Sequence, residues 1–284
     1  MDAARRQLTF AGRDVPAIGL GTWGMGEGRT PRSVEVDALR AGLDLGLTVI
    51  DTAEMYGEGG AEEVVGEALR GRRDDALVVS KVYPHHGSRR GVVKACDASL
   101  RRLGIDRIDV YLLHWRGAHP LAETVAGFAD LVAAGKIGAW GVSNLDAQDL
   151  AELGGVPGGS ECVTDQVLYN LTRRGPELDL FPVMADLEMP VMAYSPIEQG
   201  RLLRGAGAAT LASVARRHDE ATPAQVALAW CLRSGQVLAI PKASDVAHVA
   251  ENAGTLQLDL TAEDLAELDA AFPAPTSPVP LEML

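Results

Sequence analysis

The sequence is poor in three features that would mark particular classes of protein: cysteine, positive charge and long apolar runs. Its 284 residues include only Cys96, Cys162 and Cys231, which are widely spaced. This odd, scattered set argues against a disulfide framework or a zinc site, so we expect no bound metal and a reducing compartment. Cys96 shares a helical stripe with Val92 and Leu103, which predicts a buried free thiol.

The shortage of positive charge and of long apolar runs excludes two kinds of partner. Lys and Arg total 26 against 39 Asp and Glu, for a net charge of −13. This balance disfavours a nucleic-acid backbone or an anionic membrane surface as a partner. No apolar run approaches the roughly 20 residues of a membrane span, and MDAARRQLTF lacks the apolar core of a signal peptide. We therefore expect a cytoplasmic protein, which we take to be a monomer.

A repeating pattern of short apolar runs, each followed by a helical pattern, occupies most of the chain. The runs are continuous and rich in Val, Ile and Leu, which is typical of parallel strands buried on both faces. Eight such units predict a closed (β/α)8 TIM barrel. A doubly wound open sheet is the alternative, but no GxGxxG follows the first run. The runs are AIGLGT (17–22), GLTVID (46–51), ALVVSK (76–81), IDVYLLHW (108–115), KIGAWGVSN (136–144), CVTDQV (162–167), PVMAYSP (190–196) and QVLAIPK (236–242).

The two ends of the chain differ from this repeat. QLTFAGRDV predicts a small N-terminal β-hairpin that plugs the barrel floor. The proline-rich end FPAPTSPVPLEML predicts a short irregular tail lying over the surface. Because no linker, low-complexity tract or shift in composition interrupts the chain, we expect a single domain over 1–284. Its core spans about 7–272, and the tail is 273–284.

Polar residues end the apolar runs, and in a barrel the carboxyl ends of the strands carry the chemistry. A charged side chain would be costly to bury there alone, but several that converge on one mouth can satisfy each other. In chain order these residues are Asp51 with Tyr56 just beyond, Lys81, His114, Ser143, Asn144, Gln166, Tyr194, Ser195 and Lys242.

The sequence around these residues resembles that of one protein family, the aldo-keto reductases. The matching segments are GLGTWGMG, DTAEMYG, VVSKV, LLHW, GVSN, QVLYN, AYSPIEQG and IPKAS, in the family's order and at compatible spacing from about residue 7 to residue 272. The segments GTWGMG, LLHWRG and LEML are most similar to those of bacterial reductases of methylglyoxal and similar small aldehydes. The resemblance implies an NADPH-dependent oxidoreductase that reduces small aldehydes and ketones to alcohols.

Four residues match the catalytic tetrad of that family, and their chemistry suits carbonyl reduction. Tyr56 would be the general acid, although a tyrosine with a pKa near 10 is a sluggish acid at neutral pH. A nearby Lys81 ammonium would lower the pKa of Tyr56, and Asp51 would keep Lys81 charged. His114, as a neutral imidazole, would donate a hydrogen bond to the carbonyl oxygen.

The resemblance also implies a set of cofactor contacts. Ser143, Asn144 and Gln166 would hold the nicotinamide carboxamide, which needs both donors and acceptors. Tyr194 would stack on the nicotinamide ring. The full predicted set is Gly21, Thr22, Trp23, Asp51, Ser143, Asn144, Gln166, Tyr194, Ser195, Pro196, Gln199, Gly200, Leu202, Ile240, Pro241, Lys242, Ala243, Ser244, His248, Glu251 and Asn252.

One position departs from the family pattern and bears on the choice of cofactor. The family commonly places an arginine six residues after Lys242, where it grips the 2′-phosphate of NADPH, but this chain has His248. A neutral imidazole makes no bidentate phosphate contact, and Asp245 adds negative charge nearby. We expect NADPH to be preferred because of Lys242, with NADH as the alternative.

The substrate pocket is predicted from aromatic residues near the same strand ends. Trp23, Tyr56, His114 and Trp115 would line it, with Met25 as a further contributor. Aromatic walls around a few polar donors suit a small aldehyde or ketone.

Two other functions remain open at this point. Some relatives on this scaffold are channel-associated regulatory subunits that sense nicotinamide redox state, and an intact tetrad does not exclude that role. An unrelated barrel enzyme could instead use Lys81 as the Schiff-base lysine of an aldolase.

Overall fold

The computed structural model describes residues 6–219 and 221–284, and it begins with the predicted hairpin. Strands β1 (Gln7–Phe10) and β2 (Arg13–Pro16) pair antiparallel. Ala11 and Gly12 turn the chain with φ values of 49° and 75°, the left-handed region that a two-residue hairpin turn requires. Phe10 and Val15 pack against the inward side chains of the barrel strands, so the prediction of a hairpin that plugs the barrel is confirmed.

The predicted barrel is also confirmed. Its eight parallel strands are neighbours in chain order, and bridges from Ile18 to Ala239 and from Gly21 to Lys242 close the first strand onto the last. Every predicted apolar run overlaps one strand, and no strand extends more than one residue beyond its run. These are β3 (Leu20–Gly21), β4 (Val49–Asp51), β5 (Leu77–Val82), β6 (Ile108–Leu113), β7 (Ile137–Ser143), β8 (Asp165–Leu168), β9 (Val191–Tyr194) and β10 (Val237–Ala239).

Helices follow the strands and surround the barrel. They are α1 (Arg32–Asp44), α2 (Gly60–Ala68), α3 (Arg89–Leu103), α4 (Leu121–Ala133), α5 (Ala147–Gly154), α6 (Leu180–Asp186), α7 (Ala208–Ala215), α8 (Pro223–Cys231), α9 (Val246–Gly254) and α10 (Ala262–Ala271). Two of them, α7 and α10, were not predicted. No helix in the described ranges is both long and apolar enough to span a membrane.

The alternation of side chains along each strand determines what reaches the barrel interior. On β5, Leu77 and Val79 belong to the inner apolar cluster, whereas Val78 and Val82 pack outward under the helices. The period of two then turns Lys81 inward, and the same rule applies to Asp51 after Val49 on β4. Polar side chains therefore occupy the interior positions at the carboxyl end of the barrel, directly above its apolar filling.

The tail after α10 contains no helix or strand, as predicted. It is held against the body of the protein by an ion pair between Glu282 and Arg173. Arg173 also binds Glu198 in the loop after β9, so the tail and that loop share one guanidinium group.

Candidate active site

The register of the sheet brings the ends of β4 and β5 to the same level. Asp51 pairs with Val79 of the neighbouring strand, two residues before Lys81. The Lys81 Nζ atom lies 2.8 Å from Asp51 Oδ2 and 3.1 Å from the Tyr56 hydroxyl. A third contact, of 2.9 Å, joins Nζ to the backbone carbonyl of Thr52. All three N–H bonds of the ammonium group are thus engaged, and the side chain is fully buried.

Tyr56 reaches Lys81 because the chain turns sharply just after β4. A short 3-10 turn runs from Tyr56 to Gly59, and Gly57 and Gly59 have φ values of 57° and 93°. These left-handed values favour glycine, which explains the glycines that follow the tyrosine. A Cβ atom on Gly59 would lie 2.4 Å from Arg102 Cδ, so the turn also packs closely against α3.

Burial dominates the electrostatics of the tetrad. It raises the pKa of Tyr56 well above the ordinary value of 10.0, and the charge of Asp51 adds to the rise. The sequence predicts the opposite direction, and that prediction is wrong because burial and the charge of Asp51 both raise this pKa. Burial also raises the pKa of Asp51 and lowers that of Lys81, and the contact between the two opposes both shifts. Tyr56 therefore stays a protonated phenol throughout the neutral range.

His114 lies beside Tyr56, with their ring centroids 5.8 Å apart at an interplanar angle of 74°. Burial lowers the pKa of His114 to about 2, and the charge of Lys81 contributes to the shift. The imidazole is therefore neutral at physiological pH, as predicted. Its Nδ1 atom is buried without a hydrogen-bond partner among the described residues. A buried polar atom without a partner is costly, so its presence beside Tyr56 is consistent with a polar ligand at this point.

The residues predicted to hold a carboxamide adjoin the tetrad and each other. Ser143 Oγ donates to the backbone oxygen of Gln166 at 2.7 Å, and Asn144 Nδ2 donates to Ser143 Oγ at 3.0 Å. The Tyr194 hydroxyl donates to Asn144 Oδ1 at 3.0 Å. Asn144 has a φ of 58°, an uncommon value for a non-glycine residue. Hydrogen-bond donors and acceptors that could bind an amide group are therefore grouped around Asn144, next to the buried tetrad.

The predicted residues on the first strand lie where β3 and β10 meet. A Cβ atom on Gly21 would lie 2.6 Å from the carbonyl oxygen of Ile240, so only glycine fits there. Thr22 Oγ1 donates to the backbone oxygen of Asp51 at 2.9 Å. Trp23 is 50% exposed. Met25 is fully buried, so the prediction that it contributes to the pocket is wrong.

The loop after β9 carries a second group of predicted cofactor residues. Ser195 and Gln199 have φ values of 48° and 54°, and Glu198 between them has one of 50°. Three non-glycine residues in this conformation within five positions indicate a strained loop. Glu198 stabilises it by accepting hydrogen bonds from Asn170 and Arg173. Pro196, Gly200 and Leu202 belong to the same segment, and Leu202 is packed into the core.

The predicted phosphate end lies at the start of α9. Lys242 is exposed and its Nζ atom lies 2.9 Å from Ser244 Oγ, while Pro241 and Ala243 are buried beside it. Asp245 caps α9 by accepting the His248 backbone N–H at 2.9 Å. The same carboxylate pairs with His248 Nδ1. Helix N-terminus, lysine and serine fit a phosphate group, whereas Asp245 opposes one.

The two residues predicted to contact adenine lie further along α9. Glu251 accepts a hydrogen bond of 2.6 Å from Thr222 Oγ1, at the start of α8. Asn252 is buried. Both side chains are close to the α8–α9 packing, and their predicted contacts stay predictions.

The aromatic wall of the mouth includes residues that were not predicted from the sequence. The Trp115 ring is 4.9 Å from that of His114 and 5.9 Å from that of Tyr83. Glu54 Oε1 accepts the Tyr83 backbone N–H at 2.7 Å and lies 3.0 Å from His86 Nδ1. Tyr83 could have been found, because it follows Lys81 by two positions and so continues the same face past the strand end.

Comparisons with known proteins agree with this arrangement. Residues 17–272 match the model of the aldo/keto reductase family. Methylglyoxal reductase YeaE from Escherichia coli is 51% identical over 283 residues, covering 99% of each chain. A crystal structure of an aldo-keto reductase from Klebsiella pneumoniae in complex with NADPH superimposes with a TM-score of 0.95 at 49% identity, covering 99% of this chain and 100% of that one. Another from the same organism, in complex with NADP and acetate, is 50% identical. By its sequence, its barrel and the side chains at the barrel mouth, the chain belongs to the aldo/keto reductase family.

Proposed function

We propose that this protein is an NADPH-dependent oxidoreductase that reduces small aldehydes and ketones to alcohols, with Tyr56 as the proton donor. The observation that carries the proposal is the contact of 3.1 Å between Lys81 Nζ and the Tyr56 hydroxyl, in a buried group completed by Asp51. The similarity to the methylglyoxal reductase of Escherichia coli supports methylglyoxal as one substrate of this class.

The residues at the mouth fit the cofactor that the similarity implies. Ser143, Asn144 and Gln166 would hold its carboxamide, Tyr194 its ring, and Lys242 with the start of α9 its phosphate. When bound, the cofactor supplies a hydride to the carbonyl carbon. The chain itself supplies the proton, the orientation of the carbonyl and the dry surroundings that both need.

Each tetrad residue then has one task. The Tyr56 hydroxyl gives its proton to the carbonyl oxygen, which becomes the hydroxyl of the alcohol. A neutral His114 donates a hydrogen bond to the same oxygen and so orients the carbonyl. The Lys81 ammonium stabilises the negative charge left on Tyr56, and Asp51 keeps that ammonium charged. The Tyr56 proton is replaced from solvent, so one hydride and one proton are consumed for each carbonyl reduced.

The engagement of Lys81 argues against the Schiff-base alternative. A Schiff base requires a free, neutral amine that can attack a carbonyl carbon. Here the three N–H bonds of Lys81 are directed at Asp51, Tyr56 and the Thr52 carbonyl. Borohydride treatment with a ketone substrate would label Lys81 under the aldolase hypothesis and leave it unmodified under ours.

The direct test is NADPH oxidation with a panel of carbonyl compounds. Methylglyoxal, 4-nitrobenzaldehyde and short aliphatic aldehydes should each give turnover that depends on protein concentration. The regulatory-subunit hypothesis predicts NADPH binding without appreciable turnover of any of them. Binding measured by quenching of tryptophan fluorescence would distinguish that outcome from a protein that does not bind the cofactor at all.

His248→Arg should tighten NADPH binding by about tenfold, which corresponds to about 1.4 kcal/mol. Arginine presents a fixed fork of donors and a permanent charge to a phosphate, whereas His248 is exposed and paired with Asp245. NADH affinity should change much less. Fluorescence titrations with both cofactors provide the measurement. Ala247→Arg is the matched control, since it adds the same charge at the neighbouring exposed position. Equal changes for NADPH and NADH would show that His248 does not face the 2′-phosphate.

The proposal extends to the setting of the protein. We propose one barrel domain over 1–284, with a core of about 7–272 and a tail of 273–284, although residues 1–5 and 220 lie outside the described ranges. We further propose a monomer located in the cytoplasm. Three buried free cysteines with no disulfide among them support a reducing compartment.

A further inference from the structure

Gln166 connects two groups of residues that the mechanism treats separately. Its side chain projects into the barrel from β8 and is 1% exposed. The amide Nε2 donates to Asp51 Oδ1 at 2.7 Å, across 115 positions of the chain, and lies 3.7 Å from Met192 Sδ. A carboxylate only accepts hydrogen bonds, so the NH2 end of the amide must face Asp51 and the carbonyl oxygen must face away.

The two carboxylate oxygens of Asp51 accept hydrogen bonds from different residues. Oδ1 is taken by Gln166, and Oδ2 is left for Lys81 at 2.8 Å. Without the first contact, the carboxylate could rotate, and one of its buried oxygens would lose a donor. Gln166 therefore fixes the orientation of the Asp51 carboxylate against the Lys81 ammonium group. Because Lys81 also contacts the Tyr56 hydroxyl, this orientation affects the position of the proton donor.

The backbone of Gln166 belongs to the carboxamide side of the site. Its carbonyl oxygen accepts from Ser143 Oγ at 2.7 Å and from the Asn144 backbone N–H at 3.0 Å. One residue thus contacts both the group that would hold the cofactor and the carboxylate that supports the proton donor. The hydrogen bonds from Ser143 to Gln166 and from Gln166 to Asp51 are both buried.

We propose that Gln166 is a positioning residue for proton transfer, which couples the carboxamide site to Tyr56 through Asp51 and Lys81. This inference rests on the proposed function for its catalytic consequence, but the coupling itself is a property of the apoprotein. It assigns Gln166 a task beyond contact with the cofactor, and it predicts an effect on chemistry that remains when the cofactor site is saturated.

The charges around Lys81 determine the direction in which the pH profile of kcat should shift when Gln166 is replaced. The groups that face it are Asp51, Tyr56 and His114, with Glu62 of α2 acting from outside the strand. The hydrogen bond from Gln166 favours the charged form of Asp51, and that charge in turn holds the pKa of Lys81 up. Loss of Gln166 should make Lys81 lose its proton at lower pH. The alkaline limb of the pH profile of kcat should therefore move to lower pH.

The kinetic test uses Gln166→Met, which keeps the volume of the side chain and removes both of its hydrogen-bonding groups. At saturating NADPH we expect kcat to fall by about tenfold or more, with the alkaline limb shifted downward by at least about half a pH unit. Ser143→Ala is the matched control, because Ser143 reaches Gln166 only through the backbone and does not touch Asp51. Ser143→Ala should weaken NADPH binding without shifting the alkaline limb of the pH profile of kcat.

A second test does not depend on turnover. In a double-mutant cycle of thermal stability, the effects of Gln166→Met and Lys81→Met on the melting temperature should depart from additivity by about 2 °C or more. Additive melting temperatures together with an unshifted pH profile would overturn the inference. If the parent protein reduces no carbonyl compound, the proposed function fails, and the cycle still decides whether Gln166 and Lys81 are coupled.

Discussion

Tyr56→Phe should reduce kcat for an unactivated aldehyde by about 10²–10⁴-fold. The substitution removes the hydroxyl group from a ring that is already buried. It removes both the proposed proton donor and the oxygen that accepts a hydrogen bond from Lys81 Nζ at 3.1 Å. The carboxamide and phosphate ends of the site are untouched, so NADPH affinity should stay close to that of the parent. Steady-state kinetics and a fluorescence titration on the same preparation provide the measurement.

Tyr83→Phe is the matched control for this experiment. It removes a hydroxyl from another tyrosine of the same aromatic wall, 5.9 Å from Trp115 between ring centroids. We expect its turnover to be near that of the parent. Near-parental turnover of Tyr56→Phe itself would show that another group donates the proton.

Lys81→Met should be at least as damaging to catalysis and should also destabilise the fold. The variant leaves Asp51 buried, with Gln166 as its remaining side-chain donor. Breaking a buried pair by removing one partner costs about 3–5 kcal/mol. We expect a clear fall in melting temperature together with a loss of turnover. An active variant with an unchanged pH profile would refute the electrostatic role of Lys81.

The pH dependence of that variant has a definite sign. Burial raises the pKa of Asp51 in the folded state, and Lys81 and Gln166 oppose that rise. Without Lys81, only the hydrogen bond from Gln166 still opposes it. A carboxyl whose pKa is raised on folding stabilises the protein below its unfolded pKa, and this contribution is lost as the pH rises towards the folded pKa. Lys81→Met should therefore be more stable, relative to the parent, at pH 5 than at pH 8. Adding Asp51→Asn should recover stability at pH 8 without recovering activity.

The sequence predicted the parts of the fold that repeat. Buried parallel strands leave continuous apolar runs, and each of the eight runs overlaps one strand of the barrel. Helices α7 and α10 were missed because they lie outside the repeat, one before α8 and the other after the last unit. A local signal for α10 exists, since Thr261 and Asp264 form the capping box that starts it.

The sequence predicted which residues meet at the candidate site, but it predicted their pKa values and contacts less well. Asp51, Tyr56, Lys81 and His114 meet at the mouth, because strand ends converge wherever a barrel closes. The direction of the Tyr56 pKa was predicted wrongly, since burial depends on everything packed around the ring. The contact of Gln166 with Asp51 has no local signature, because the two positions are 115 residues apart. The roles of all these residues stay predictions until the variants are measured.

The three cysteines have a chemical consequence for a protein that handles aldehydes. Cys96, Cys162 and Cys231 are buried, and burial raises the pKa of each thiol to about 12. These thiols therefore stay protonated at neutral pH, whereas the thiolate is the form that attacks electrophiles. Electrophilic carbonyl compounds would therefore meet buried, protonated thiols in the folded protein. The folded protein should therefore resist modification at its cysteines, and that resistance should disappear when the protein unfolds and the thiols become solvated.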